Sequence, residues 1–185
     1  MTKIIKQSGL TFIEVLIALF ILVSGILGAV AMQISAKKGS FDAMQRSVAS
    51  ALAQDILEKI RSNHSDPNVL ELYQGTYGET LNPAPTSRCR TATSNCTSAQ
   101  MAVNDIYEWE YALMGMDVSD QGVSNGGLIG ARACIDHSNN AVTVVISWQG
   151  RTRMSDGATD NIDFAKGCGT ETDDRHQMVV EGFVF

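Results

Sequence analysis

The chain has 185 residues, a hydrophobic fraction of 44% and a formal net charge of −6. This length suits one domain joined to an extended element. The acidic charge argues against non-specific binding to nucleic acid, because the phosphate backbone attracts basic surfaces. With only three prolines and 16 glycines, the composition argues against a disordered chain and against a collagen-like repeat. We therefore expect a folded protein without a nucleic-acid partner.

An apolar segment near the N-terminus dominates the sequence. A short polar stretch with Lys3 and Lys6 comes first, and residues 10–34 then contain one charged side chain, that of Glu14. The segment is about as long as a membrane-spanning helix. An ionised side chain in such a helix costs roughly 2.5–3.5 kcal/mol at the bilayer centre. Glu14 is therefore a candidate functional residue.

Three interpretations of this N-terminus are open. A secretory signal peptide would be cleaved after the apolar segment, for example near Ala-Val-Ala at residues 29–31. An uncleaved membrane anchor would keep the whole segment. Cleavage at Gly9 would remove only the basic leader, residues 1–9, and keep the helix. We favour cleavage at Gly9, because the segment is longer than a usual signal core and the other two interpretations leave Glu14 unexplained.

The residues around Gly9 resemble a known processing site. Residues 8–14 read Ser-Gly-Leu-Thr-Phe-Ile-Glu, which is similar to the Gly-Phe-Thr-Leu-Ile-Glu site of type IV pilins and pseudopilins. The resemblance implies that a prepilin peptidase in the membrane cuts after Gly9 and methylates the new amino terminus on Leu10. It also matches Glu14 to the glutamate at the fifth mature position. Leu10 and Phe12 exchange the usual phenylalanine and leucine, which keeps the apolar bulk.

The charge of Glu14 suggests a role in assembly. Cleavage would leave an α-amino group on Leu10 with a pKa near 7.7–8, which is largely cationic at neutral pH. Four residues of helix place Leu10 and Glu14 about 6 Å apart along the axis. In an apolar bundle of helices, Glu14 would compensate such an amino terminus. The resemblance implies the amino terminus of a neighbouring subunit, so that Glu14 sets the axial register.

The apolar segment continues into an amphipathic pattern. We predict one helix from residue 10 to about residue 61, followed by a turn at residues 62–67. Residues 10–34 would form a transmembrane or filament-core half, and residues 35–62 would pack on a head formed by residues 63–185. Gln45 is expected to lie off the apolar stripe of this second half. The stripe has spacings of three and four residues, and its members are Phe41, Met44, Val48, Leu52, Ile56 and Ile60.

The head is predicted to contain one helix and an antiparallel sheet. The helix starts after Thr97 or Ser98, either of which suits the N-cap position. β-Branched and apolar runs predict strands at residues 127–135, 141–148 and 178–185, with a hairpin turn at residues 138–140. We expect an α+β fold, in which three or four strands pack on the second half of the long helix, as in type IV pilins. The apolar stripe of the head helix consists of Ala102, Ile106, Trp109, Leu113 and Met116.

The cysteines predict disulfides. Four cysteines allow three connectivities, and a head beyond a membrane helix would fold in an oxidising compartment. We favour Cys89–Cys96, which closes a small loop, and Cys134–Cys168, which ties the loop before the last strand to the first strand.

Neither a metal ion nor a cofactor is expected. No C-x-x-C motif occurs, the three histidines are scattered, and no catalytic motif is present, so we expect a protein that is not an enzyme. Calcium remains an alternative for the acidic loops, but the spacing of an EF-hand is missing. A solvated acidic face is favoured there. Its aspartates are Asp156, Asp160, Asp163, Asp173 and Asp174.

The end of the long helix and several head segments resemble the PilV group of minor pilins. They are residues 53–63, the helix around Trp109, and the motifs Ala-Cys-Ile, Ile-Ser-Trp-Gln-Gly-Arg and Gly-Cys-Gly. The resemblance implies a minor pilin that sits in the bacterial inner membrane, with its head in the periplasm, before it enters a pilus on the cell surface. It would prime assembly, near the tip, together with other minor pilins, the major pilin and an adhesin. Two alternatives remain open, namely a minor pseudopilin of a type II secretion system and a membrane-anchored periplasmic binding or catalytic domain.

Overall fold

The computed structural model describes residue 9 and residues 11–63, 68–91, 93–120, 123–124, 126–153 and 155–184. The chain divides into two units, the first ending at Ser40 and the second beginning at Phe41. Helix α1, Phe12–Ser62, contributes residues to both. By length and composition, α1 is the one helix of the described chain that is apolar enough to cross a membrane. The predicted long helix is therefore confirmed.

The part of α1 in the first unit exposes all of its side chains. Phe12 is 81% exposed, Phe20 73% and Leu27 65%. The hydroxyl of Ser24 donates to the carbonyl oxygen of Phe20 at 2.8 Å, so this hydroxyl is satisfied within the helix. A helix that is apolar on every side is found inside a protein core or a membrane. This part of α1 therefore needs an apolar environment, which the described residues do not provide.

The second unit is an α+β head, as predicted. Its main sheet is antiparallel and has the strand order β1-β4-β5-β6. Strands β2 and β3 form a separate two-stranded ribbon. The elements after α1 are α2 (Val69–Tyr73), β1 (Gly75–Tyr77), α3 (Ser98–Leu113), β2 (Ser119–Asp120), β3 (Val123–Ser124), β4 (Arg132–Ser138), β5 (Ala141–Gln149), α4 (Asp163–Lys166) and β6 (Arg175–Phe183).

One face of the sheet packs on the second half of α1. Ala49 and Ala53 are completely buried, and their small side chains let the helix lie close to its neighbours. The indole Nε1 of Trp109 on α3 donates to the carbonyl oxygen of Leu52 at 2.8 Å. The core thus joins α1, α3 and the sheet. Its largest fully buried members include Trp109, Trp148, Tyr73, Ile56, Ile60, Leu113 and Ile146.

The predicted stripe of α1 is wrong at two positions. Met44 is 54% exposed, whereas Gln45 is only 3% exposed. The amide of Gln45 donates to the carbonyl oxygen of Gly127 at 3.3 Å, and its Oε1 accepts from the backbone N–H of Ile129 at 3.2 Å. A buried amide is tolerated when it is hydrogen-bonded. Gln45 therefore faces the head, where its two hydrogen bonds hold the segment that leads into β4.

Helix α3 begins where its cap was predicted. The hydroxyl of Thr97 accepts from the backbone N–H of Gln100 at 3.3 Å, and the side chain of Gln100 accepts from the backbone N–H of Thr97 at 3.0 Å. This reciprocal pair is a capping box. The helix ends at Leu113, so Met116 of the predicted stripe lies beyond it.

Most of the strand boundaries differ from the prediction, by one to five residues. Strand β4 starts at Arg132 rather than at residue 127, because Gly127 and Gly130 have φ angles of 74° and 58°, which a strand does not contain. Strand β6 starts at Arg175 rather than at residue 178. The hairpin turn between β4 and β5 is confirmed, and Asn139 takes a positive φ of 54° there. The turn predicted at residues 62–67 lies mostly outside the described residues.

Candidate functional site

The structure describes part of the predicted processing site. Gly9 is exposed and lies before the first residue of α1, Phe12. A peptidase needs an accessible peptide bond outside regular structure, and the position of Gly9 meets that need. Leu10, the predicted new terminus, lies outside the described residues.

Glu14 occupies the first turn of α1 and is exposed. An acid in the first turn is favoured, because the N-terminal end of a helix carries partial positive charge. Its neighbours Ile13, Val15 and Ile17 are 61%, 50% and 54% exposed. A lone carboxylate on an exposed apolar surface loses its hydration when that surface is covered. A cationic partner would offset this cost in an apolar assembly.

The head contains two disulfides, in the connectivity favoured from the sequence. Cys89 and Cys96 are bonded with a Cα–Cα distance of 6.1 Å, and Cys134 and Cys168 with a distance of 5.9 Å. The second bond is buried and packs with Val145. In the chain-entropy model, its closure of 34 residues contributes about 4 kcal/mol, and the seven-residue separation of the first contributes about 2–3 kcal/mol.

Arg175 organises the long loop between β5 and β6. Its side chain is buried, and its Nε and Nη2 donate to the two carboxylate oxygens of Asp156 at 2.7 Å each. Hydrogen bonds from Arg175, the largest influence, lower the pKa of Asp156. The remaining Nη1 donates to the carbonyl oxygens of Lys166, Cys168 and Gly169. The sequence did not predict this buried arginine and its partners, because a single arginine in a polar stretch forms no recognisable pattern.

Other aspartates of this loop also face cations. Asp163 lies 3.5 Å from Lys166, and Asp173 lies 3.8 Å from Arg153, both on the surface. Within the described ranges, no three His, Cys, Asp or Glu side chains come together as a metal site. The arrangement around these aspartates is therefore one of ion pairs.

The sequence also did not predict a buried carboxylate on α3. Glu110 on α3 is 1% exposed. Its carboxylate accepts from the backbone N–H of Gly78 at 2.8 Å and from the backbone and side-chain N–H groups of Asn82 at 2.9 and 2.7 Å. Three donors satisfy the buried carboxylate. Glu110 thus holds the segment after β1 against α3, which is a structural role.

The described histidines do not resemble a catalytic pair. His137 lies on β4, and His176 on β6 packs its ring 5.8 Å from that of Trp148. The third, His64, lies outside the described residues.

Comparison with known proteins gives one family. Residues 31–107 match the model of the Tt1218-like family, which is described as type IV pilin Tt1218. The matched segment begins within α1 and ends within α3, and it covers less than half of the chain. The matched segment does not include Gly9, Glu14 or strands β4 to β6. Those features are therefore independent of the family match. No curated protein and no solved structure gives a significant match.

Proposed function

Starting from the type IV pilin-like family that the match over residues 31–107 supports, we propose that the chain is a minor pilin of a type IV pilus. The observation that carries the proposal is the exposed apolar part of α1, which has Gly9 before it and one acid, Glu14, in its first turn. These features lie outside the matched segment and suggest the same kind of protein. A filament subunit of this kind is structural and catalyses no reaction.

The first proposed step is processing at Gly9. A prepilin peptidase removes residues 1–9 and methylates the amino group of Leu10, which keeps its positive charge. The exposure of Gly9 outside the helix supports access by the peptidase. Removal of Lys3 and Lys6 makes the mature protein more acidic.

The second step is a change of environment for α1. The exposed helix first lies in the inner membrane, where lipid covers its apolar side chains, and the head lies in the periplasm. In the pilus, neighbouring helices replace the lipid. Glu14 then pairs with the methylated amino terminus of an adjacent subunit, because an unpaired carboxylate would be costly in that bundle. The pairing selects one axial register.

The third part of the proposal is the position in the filament. The head motifs that resemble PilV support a subunit that primes assembly near the tip. Its partners there are other minor pilins, the major pilin and a tip adhesin. The acidic charge of the chain favours partner surfaces that are basic.

The mass of the mature protein tests the processing step. We expect a chain that begins at Leu10 and carries one additional methyl group, as measured by mass spectrometry of the protein from the membrane fraction. A chain that begins at Met1, or beyond residue 31, contradicts the proposal. Either result would favour a membrane-anchored periplasmic domain or a secreted protein. In a deletion strain, loss of twitching with normal exoprotein secretion separates a pilin from a pseudopilin.

Substitution of Glu14 tests the register role. Glu14→Gln keeps the shape and removes the charge, so we expect normal processing but at least about a tenfold loss of the protein from sheared surface pili, equivalent to 1.4 kcal/mol. Glu14→Asp keeps the charge and serves as the matched control, with smaller loss. Equal incorporation of Glu14→Gln and the wild type, measured by immunoblot, would exclude this role.

A further inference from the structure

A polar cleft lies on the outer face of α3, far along the chain from the processing site. Its volume is about 460 Å³, within the range of small-molecule sites. One wall is α3, and the other carries the residues on either side of Cys89. The lining side chains include Arg88, Arg90, Tyr107, Glu108, Tyr111 and Asp117.

Two tyrosines form an aromatic surface in this cleft. Tyr107 and Tyr111 are one helical turn apart, and their ring centroids are 6.1 Å apart with an interplanar angle of 32°. Both are partly exposed, whereas Trp109 between them is 1% exposed and belongs to the core. The face of an aromatic ring is electron-rich. It therefore attracts groups with slightly positive hydrogens, such as the C–H face of a sugar ring.

Two arginines are held beside these rings by one carboxylate. Oε1 of Glu108 accepts from Nη2 of Arg88 at 2.9 Å and from Nε of Arg90 at 2.6 Å. Arg88 also donates to Oδ1 of Asn104 at 3.2 Å, and its guanidinium lies 4.8 Å from the ring centre of Tyr107. The polar groups are thus positioned before any ligand arrives. Such preorganisation reduces the entropy lost on binding.

The disulfide supports the same arrangement. Cys89 lies between the two arginines in sequence and is bonded to Cys96, just before the cap of α3. Its backbone N–H donates to Oδ1 of Asn104 at 3.4 Å, the same atom that Arg88 contacts. The bond and the hydrogen bond hold the segment against α3. This wall of the cleft is therefore fixed in the head, and the cleft does not depend on a free loop.

The charges of the cleft favour a neutral ligand. Burial raises the pKa of Glu108, but hydrogen bonds from Arg90 and Arg88 outweigh it and lower that pKa overall, so Glu108 is ionised at neutral pH. Two arginines and the acids Glu108 and Asp117 then balance in formal charge. A phosphate-rich ligand would need an excess of positive charge. Donors and acceptors side by side suit hydroxyl groups, which both donate and accept.

We propose that this cleft binds a neutral saccharide. One sugar ring stacks its C–H face on Tyr111, while adjacent hydroxyls accept from the guanidinium of Arg90 and donate to the carboxylates of Glu108 and Asp117. Arg88 keeps its place over Tyr107 and braces the site. The head would thereby recognise a glycan surface, a property that needs no neighbouring subunit.

Binding is tested with the full chain in an amine-oxide detergent, since sugar-based detergents would compete. The probes are lactose, maltose, cellobiose and N,N′-diacetylchitobiose, with digalacturonate as an anionic comparison, titrated by saturation-transfer NMR. We expect saturable binding of at least one neutral disaccharide at millimolar Kd. Tyr111→Ala should weaken it by about tenfold or more, because the stacking surface is lost. Tyr111→Phe keeps the ring and should stay within about threefold of the wild type.

A pair of arginine variants tests the polar contacts. Arg90→Gln should weaken binding of the same disaccharide several-fold, whereas Arg153→Gln, which changes another exposed arginine that is paired with Asp173 elsewhere on the head, should not change Kd. Unfolding curves from tryptophan fluorescence establish that each variant is folded. Absence of binding by all four neutral probes, tighter binding of digalacturonate, or unchanged binding by Tyr111→Ala would overturn the proposal.

Discussion

The two parts of α1 differ in the exposure of their side chains although they belong to one helix. From Phe12 to Ser40 every side chain is exposed, whereas the later part buries one side against the head. Ile21 and Ile56 show the contrast, with exposed fractions of 64% and 0%. Tertiary packing of an amphipathic face stabilises most helices in proteins. The later part of α1 has such packing within its own chain, and under the proposed function the earlier part depends on lipid or on other subunits.

The two parts of α1 also differ in glycine content. Gly25, Gly28 and Gly39 all lie in the exposed part, and none occurs between Phe41 and Ser62. Each glycine lowers helix stability by about 1 kcal/mol relative to alanine. No neighbouring group within 4 Å requires the absence of a side chain at these three positions. The exposed part is therefore the less stable helix by composition, which suits the proposed exchange of lipid for neighbouring helices.

The largest expected effect comes from the same substitution in the two parts. Ile56→Ala removes a fully buried side chain, so we expect the free energy of unfolding of the head to fall by about 2–5 kcal/mol. Ile21→Ala, an exposed isoleucine on the same helix, should leave it unchanged. Denaturant unfolding followed by tryptophan fluorescence reports on the head alone, because both tryptophans, Trp109 and Trp148, are buried in it. Equal destabilisation by both variants would show that the two parts unfold as one unit.

Much of this contrast was predictable from the sequence, because it rests on strong local patterns. The apolar segment specified α1, Thr97 with Gln100 marked the start of α3, and the β-branched residues at 141–148 indicated β5. Helix α2 and strand β1 were missed, since five and three residues are too few to show a period. The same limit applies to β2, β3 and α4.

The buried polar residues could not be predicted for a different reason. Gln45, Glu110 and Arg175 are polar side chains that sequence rules place on the surface. Each is buried because its partners come from distant parts of the chain, such as Gly127 for Gln45 and Asp156 for Arg175. Only the fold brings these partners together. The proposed processing site is the opposite case, since Gly9 and Glu14 belong to a contiguous motif.

The smallest expected effect concerns a buried acid of the head, in contrast to the exposed Glu14. Asp105 on α3 is 7% exposed. Its Oδ2 accepts from the hydroxyl of Tyr73 at 2.8 Å, and that hydroxyl accepts from Nδ2 of Asn63 at 3.1 Å. This network joins the end of α1 to α2 and α3. Burial is the largest influence on the Asp105 carboxyl and outweighs the bond from Tyr73, so its pKa is raised.

A raised pKa means that the folded state binds the proton of Asp105 more tightly than the unfolded state does. The stability that Asp105 contributes is therefore fully present below its unfolded pKa of about 3.9 and is lost as the pH rises through its folded value. Asp105→Asn stays neutral, so its free energy of unfolding relative to the wild type should increase between about pH 3 and pH 7, by less than about 1 kcal/mol. Urea unfolding of both proteins across this range measures the difference. A difference that is independent of pH would show that the folded and unfolded states hold this proton equally, and that Tyr73 compensates fully for the burial of the charge.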